Sequence, residues 1–266
     1  MRTGRPGTMA VLVGALALAA LDVPAAEAAD TGITVSKVVV NSGKPIIVGI
    51  TEEKLPPISF HMNWPSGYDL GDADGDPFLY HDTTVSKGAD GGGIYTTSYT
   101  CYEDGSHAAN CEGELIIKPR RTLDSNNDAT TWKIGASALL WGTDGQPEHE
   151  YLTGLGTAQV KRAARATVNA SPEPVTKGKT LTVTGKLTRA DWVKHAYTGY
   201  SGKSAKLQFR KAGTSTYSTI KIVKASSTGA LKTTVKASAD GYWRWTFSET
   251  ATTGGATAAG DYVDVK

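Results

Sequence analysis

Ile58-Ser59-Phe60-His61-Met62-Asn63-Trp64 alternates apolar and polar residues without a break. A period of two belongs to a strand with one face buried and one face wet. Working outward, the same signature predicts strands over 33–40, 45–50, 94–102, 113–118, 131–141 and 155–160. These runs are rich in Val, Ile, Thr, Tyr and Trp, which strands favour. Gly, Pro, Asn and Asp cluster between them, and no stretch carries an amphipathic helical period. Seven short strands over residues 29–160 predict a β-sandwich.

Residues 161–266 repeat the pattern more cleanly. Leu181, Val183 and Leu187 alternate with Thr182, Thr184 and Lys186, and Leu207 and Phe209 with Lys206, Gln208 and Arg210. Leu231, Val235 and Ala237 share a face, as do Trp243, Trp245 and Phe247. With 166–170, 217–224 and 261–265, this again makes seven strands, an immunoglobulin-like count and length. The expected fold class is all-β, two immunoglobulin-like β-sandwich domains in tandem.

Three stretches carry a resemblance. Asp240-Gly241-Tyr242-Trp243-Arg244-Trp245 resembles the E–F corner and F strand of disulfide-free bacterial immunoglobulin-like domains. Ala166-Thr167-Val168-Asn169-Ala170-Ser171-Pro172 through Gly178–Gly185 and on to Leu207-Gln208-Phe209-Arg210, with the closing Gly260-Asp261-Tyr262-Val263-Asp264-Val265, resemble a recurrent C-terminal module of secreted actinobacterial proteins. The likeness spans most of 161–266 and extends more loosely into the first half. It implies fold and export and no defined activity.

The N-terminus agrees with export. Arg2 and Arg5 precede the apolar run Met9–Leu21, too short to span a bilayer as a helix, and Ala26-Glu27-Ala28 supplies a small-x-small cleavage site. Residues 1–28 are read as a signal peptide, so the expected location is extracellular, with no membrane span after cleavage. The two cysteines, Cys101 and Cys111, flank turn residues Glu103-Asp104-Gly105-Ser106, and an oxidising compartment permits a disulfide across that hairpin.

Charge is divided along the chain. The total is a net +2, yet residues 29–160 hold 8 Lys+Arg against 18 Asp+Glu, and residues 161–266 hold 18 against 6. A net +12 on about a hundred residues attracts anionic polymers. Helix-turn-helix, RNA-binding and zinc-finger signatures are missing, so nucleic acid is not the expected partner. An anionic wall polymer or polysaccharide is. The boundary Lys161-Arg162-Ala163-Ala164-Arg165 reads as a short basic linker.

Two stretches are candidate sites. Asp69-Leu70-Gly71-Asp72-Ala73-Asp74-Gly75-Asp76 gathers Asp69, Asp72, Asp74 and Asp76 on an apparent loop, the oxygen-rich chemistry calcium requires. It lacks the Gly and closing Glu of an EF-hand, so calcium is expected to bind weakly at most and no cofactor is expected. Residues 188–202 read as a long loop. Arg189, Trp192, Lys194, His195, Tyr197, Tyr200 and Lys203 form its candidate ligand surface, the alternative being aromatics folded back over the sandwich end. His81-Asp82 and Glu148-His149-Glu150 lack metalloprotease spacing, and Gly135-Ala136-Ser137-Ala138 lacks a nucleophile elbow.

The expected function is therefore a secreted, non-catalytic binding or structural protein that associates with the cell envelope or an extracellular polymer. The alternatives are a calcium-dependent extracellular binder using the acidic loop and a secreted enzyme of unrecognised type.

Overall fold

A computed structural model describes residues 30–81, 83–142 and 145–266. The signal-peptide reading of residues 1–28 lies outside the described residues. The described residues are all-β, two immunoglobulin-like β-sandwiches in tandem, with one short α-helix at Val85–Lys87 and brief 3-10 and π turns in the connections.

The first module contains β1 (Thr34–Val40), β2 (Ile46–Val48), β3 (Pro57–Asn63), β4 (Ala73–Tyr80), β5 (Ile94–Glu103), β6 (Ala108–Leu115), β7 (Thr131–Trp141), β8 (Pro147–Leu152) and β9 (Thr157–Arg162). The sheet order is β1-β3-β6-β5-β4-β7-β9-β2, with β8 paired to β7. The two halves of this sheet join only through Phe78↔Tyr95 and Leu79↔Ile94, so the sheet folds over on itself. Phe60, Met62 and Trp64, the apolar face of the opening stretch, meet Ala136, Ala138 and Leu140 of β7 inside the fold.

This corrects the sequence expectation in two places. The module has nine strands among the described residues, not seven: β4 and β8 lie outside the seven expected runs. The apparent acidic loop is half strand: Asp69–Asp72 form a tight 3-10 turn, and Asp74 and Asp76 lie in β4, paired with β7 from Ala73↔Leu140 to Tyr80↔Lys133.

The second module contains β10 (Ala164–Ser171), β11 (Thr180–Asp191), β12 (Ala196–Gly199), β13 (Ser204–Lys211), β14 (Ser218–Lys224), β15 (Ala230–Lys236), β16 (Gly241–Phe247), β17 (Ala256–Thr257) and β18 (Asp261–Val263). One sheet is β10-β11-β12 with β15 also on β11, and the other is β14-β13-β16-β17 with β18 also on β16. Leu181, Val183 and Leu187 pack from one sheet onto Leu207, Trp243, Trp245 and Phe247 of the other. The Trp245 indole donates to the Thr184 carbonyl at 3.0 Å, so its polar edge is satisfied inside the core.

The basic stretch between the modules is not a loose linker. β9 runs almost directly into β10, broken only at Ala163, and Lys161 and Arg162 are both buried. Ile46 to Val48 pair in parallel with Val160 to Arg162, and Ala163 N–H donates to the Val48 carbonyl at 2.8 Å. From the other side Arg162 N–H donates to the Thr252 carbonyl, and Gly254 N–H donates to that of Arg162. The junction is thus a strand gripped by both modules. Burying two cations there needs partners. Lys161 Nζ pairs with Glu249 at 3.2 Å, and Arg162 Nε donates to the Ala190 carbonyl. Burial, with Arg189 nearby, pulls the Arg162 guanidinium down to about 10.

Candidate functional site

The stretch that reads in sequence as a long loop is a β-hairpin, a further correction. β11 continues to Asp191, Trp192–His195 make the turn, and β12 returns alongside, with Ala190 opposite Tyr197. His195 takes a positive φ of 49° to close the turn. The aromatics fold back, and they do so onto the neighbouring module. Trp192 is 0% exposed and belongs with Ala190 to the core of the first module, beside Val48, Ile117, Leu123 and Trp132. Its indole Nε1 donates to the Gly49 carbonyl at 2.9 Å.

One side chain of the first module fixes that insertion. The Asn126 Oδ1 accepts from Trp192 N–H at 3.0 Å, and the Asn126 amide donates to Asp191 Oδ1 at 3.0 Å. Lys194 N–H donates to the same Asp191 oxygen. Burial works to raise the Asp191 carboxyl, but the Asn126 amide, the Lys194 N–H and the Arg162 charge outweigh it and hold the group below its ordinary value.

Of the other residues expected around a ligand, Tyr200 is buried with its ring under Arg189 at 4.3 Å and Lys203 at 5.4 Å. The Arg189 guanidinium also reaches Thr253 Oγ1. Tyr197 lies under the Arg165 guanidinium at 3.7 Å. Lys194, His195 and Lys203 are exposed. The hairpin therefore divides into a buried joint, made by Ala190 and Trp192, and a rim of exposed basic residues, while Tyr200 belongs to the second module's own core.

Asp69, Asp72, Asp74 and Asp76, the candidates for weak calcium binding, are divided between the turn and β4. Among the described residues no cluster of three or more His, Cys, Asp or Glu side chains has metal-binding geometry. Asp72 caps the turn by accepting from Asp69 N–H at 2.9 Å. Asp74 accepts from the Tyr99 hydroxyl, which itself accepts from Gly75 N–H at 3.2 Å. Burial, and then the charge of Asp74, raise the Asp76 carboxyl to about 6, against a lowering contribution from the Thr96 hydroxyl.

Cys101 and Cys111 are bonded, directly opposite each other on β5 and β6, with Cα atoms 4.0 Å apart. Gly105 supplies the positive φ that the connecting turn requires.

Sequence reasoning passed over a cavity of about 410 Å³ in the first module. His81, Tyr95, Arg121, Asp124, Asp128 and Trp132 are among the residues that line it. His81 Nε2 lies 3.4 Å from Asp128 Oδ1, and its ring meets Trp132 edge-on at 4.1 Å. Burial raises the Asp128 carboxyl. Of the lining hydroxyls, Tyr95 donates to the Gly88 carbonyl and Thr122 accepts from Lys118 N–H.

The second module presents its charge differently. Lys206 on β13, Lys221 and Lys224 on β14, and Lys232 and Lys236 on β15 are all exposed. None of these strands takes part in the joint.

No protein-family model matches the chain, and no curated protein matches it in sequence. Among solved structures, it is similar to the FdeC adhesin of Escherichia coli at 16% identity and a TM-score of 0.33, covering 90% of this chain and 65% of that one. Similarity to the ectodomain of mouse nectin-like molecule 4 runs at 14% identity and a TM-score of 0.25, covering 86% and 63%. The D0–D1 domain of intimin gives 12% identity and 0.27, covering 86% and 98%. The chain thus spans just under two thirds of the length of the first two. The architecture rests on the chain's own sheets, described above.

Proposed function

We propose that the protein is an exported, non-catalytic binding protein that holds an anionic extracellular polymer through its second module. The observation that carries this is the placement of the charge. Residues 161–266 concentrate 18 Lys+Arg against 6 Asp+Glu, and the exposed lysines of β13, β14 and β15 stand clear of the joint. The modules meet through Trp192, Ala190 and Asn126, at the hairpin end of the second sandwich. The acidic module therefore docks without spreading over the basic sheet faces. A disulfide-bonded cysteine pair supports an oxidising, extracellular setting.

Charges on open sheet faces act over a Debye length of about 8–10 Å at physiological salt, so the attraction is salt-sensitive. Co-sedimentation of the intact protein with purified cell walls tests this. Retention at about 0.05 M salt and release at about 0.5 M is the expected result. Equal retention at both, or none at either, would reject the electrostatic attachment.

A further inference from the structure

One sheet face of the second module carries more than diffuse charge. β16 turns Trp243, Trp245 and Phe247 inward, which leaves Tyr242, Arg244 and Thr246 outward. Across the ladder, Arg210 lies opposite Tyr242, Gln208 opposite Arg244 and Lys206 opposite Thr246. On the far side Tyr262 lies opposite Tyr242. Tyr217, just before β14, folds back over the same face.

The rings and guanidiniums stack in sequence. Tyr262 and Tyr242 have ring centroids 5.1 Å apart. The Arg210 guanidinium lies 4.1 Å from the Tyr242 ring and 5.3 Å from that of Tyr217. The Arg244 guanidinium lies 3.6 Å from the Tyr217 ring. Gly260 makes room for this, since a Cβ there would come within 2.5 Å of the Tyr217 hydroxyl. Arg244 Nε donates to Gln208 Oε1 at 2.8 Å, and Arg210 Nη1 donates to the Thr214 carbonyl, so both planes are fixed. Among the described residues no carboxylate pairs with either guanidinium. Asp240 and Asp264 bear on Tyr262 at one end of the row, and Lys206 and Lys224 stand at the other.

We propose, building on the polymer-binding reading above, that this Tyr262–Tyr242–Arg210–Tyr217–Arg244 row is the contact face for a linear sugar-phosphate polymer. Fixed guanidiniums without a carboxylate partner offer paired N–H donors to phosphate oxygens, which a flexible lysine does not. Stacking holds them at little further entropic cost on binding. Tyr262, 43% exposed, presents a ring on which a sugar can lie. Charge complementarity selects the occupant, because the outward side chains of β13, β14 and β16 include no acid.

Calorimetry on the intact protein with a synthetic oligo(glucosyl phosphate), dextran sulfate and uncharged dextran separates the possibilities. The expected result is binding of the phosphate oligomer that falls at least tenfold in R210K/R244K, which keeps both charges. K232Q/K236Q, which removes two charges from the other sheet, should lose no more than about threefold. An unshifted melting curve for R210K/R244K establishes that the loss is not unfolding, and Y262A serves as an exposed second probe, with an expected loss of a few-fold. Equal losses in the two double variants would overturn the Arg–Tyr face while leaving general attachment standing. Preference for dextran sulfate would overturn the phosphate polymer as occupant. No binding to either anionic probe would overturn both readings.

Discussion

The indole Nε1 of Trp192 donates to the carbonyl oxygen of Gly49 at 2.9 Å, across 143 positions of sequence. The residue belongs to the second sandwich by chain and to the first by packing. Its burial puts a residue of the later module inside the core of the earlier one.

Trp192→Ala should therefore cost about 3–5 kcal/mol, since it empties a closed site and leaves the Gly49 carbonyl without its donor. Chemical denaturation should show a single transition in the parent and a lower midpoint in the variant. Val193→Ala, at an exposed neighbour, should stay within about 0.5 kcal/mol. An unchanged midpoint for Trp192→Ala would mean that the hairpin does not insert.

Asn126→Ala should cost about 1–3 kcal/mol, because Asp191 and the Trp192 N–H both lose their partner in the joint. Limited proteolysis should then cut the 191–195 turn sooner than in the parent.

Asp76 makes stability fall as pH rises. Its carboxyl is raised from 3.8 to about 6 in the folded state, so the folded chain keeps this proton where the unfolded chain has lost it. The contribution is fully present below about pH 4 and is lost as pH climbs through 6. Asp76→Asn should remove that slope and stabilise the protein at pH 7.5 by about 1–3 kcal/mol. Melting curves between pH 4 and 8 check it; a parallel pH profile in parent and variant would clear Asp76 of the role.

Replacing Cys101 and Cys111 with serine should lower stability by about 2–3 kcal/mol, the scale for a cross-link that closes a loop of this size. The first module should carry the loss, read as faster hydrogen exchange in β5 and β6.

Because the joint is made by an inserted indole and an amide clamp rather than by opposed charge, salt should leave it intact. Small-angle scattering of the intact protein is expected to superimpose between about 0.05 and 0.5 M salt. Expansion at the higher value would show that the −10 and +12 halves hold each other.

The strands that alternate cleanly were legible in sequence: Ile58–Trp64 in the first module, Trp243, Trp245 and Phe247 in the second. β4 was not. Asp74, Gly75, Asp76 and Pro77 are turn formers locally, and only pairing with β7 holds them extended. In β8, Glu148, His149 and Glu150 hide the alternation that its ladder to β7 imposes. The cysteine pair was legible because its partners are close in sequence. Trp192 was visible as a notable aromatic, but its destination depends on Gly49 and Asn126, which no local pattern connects to it. The Arg210–Tyr217–Arg244 stack was hidden for the same reason: its members come from different strands and meet only across the ladder.

The shared core also sets a timetable. Emerging N-terminus first, residues 30–160 appear before the rest, and at that moment the interior around Val48, Ile117 and Trp132 still lacks two of its occupants, Ala190 and Trp192. The leading sandwich can assemble its ladders yet stays unfinished until some thirty further residues have emerged and the β11–β12 hairpin has closed. The earlier module thus waits on the later one, and a chain stalled near residue 170 would display an apolar socket to any chaperone or protease nearby.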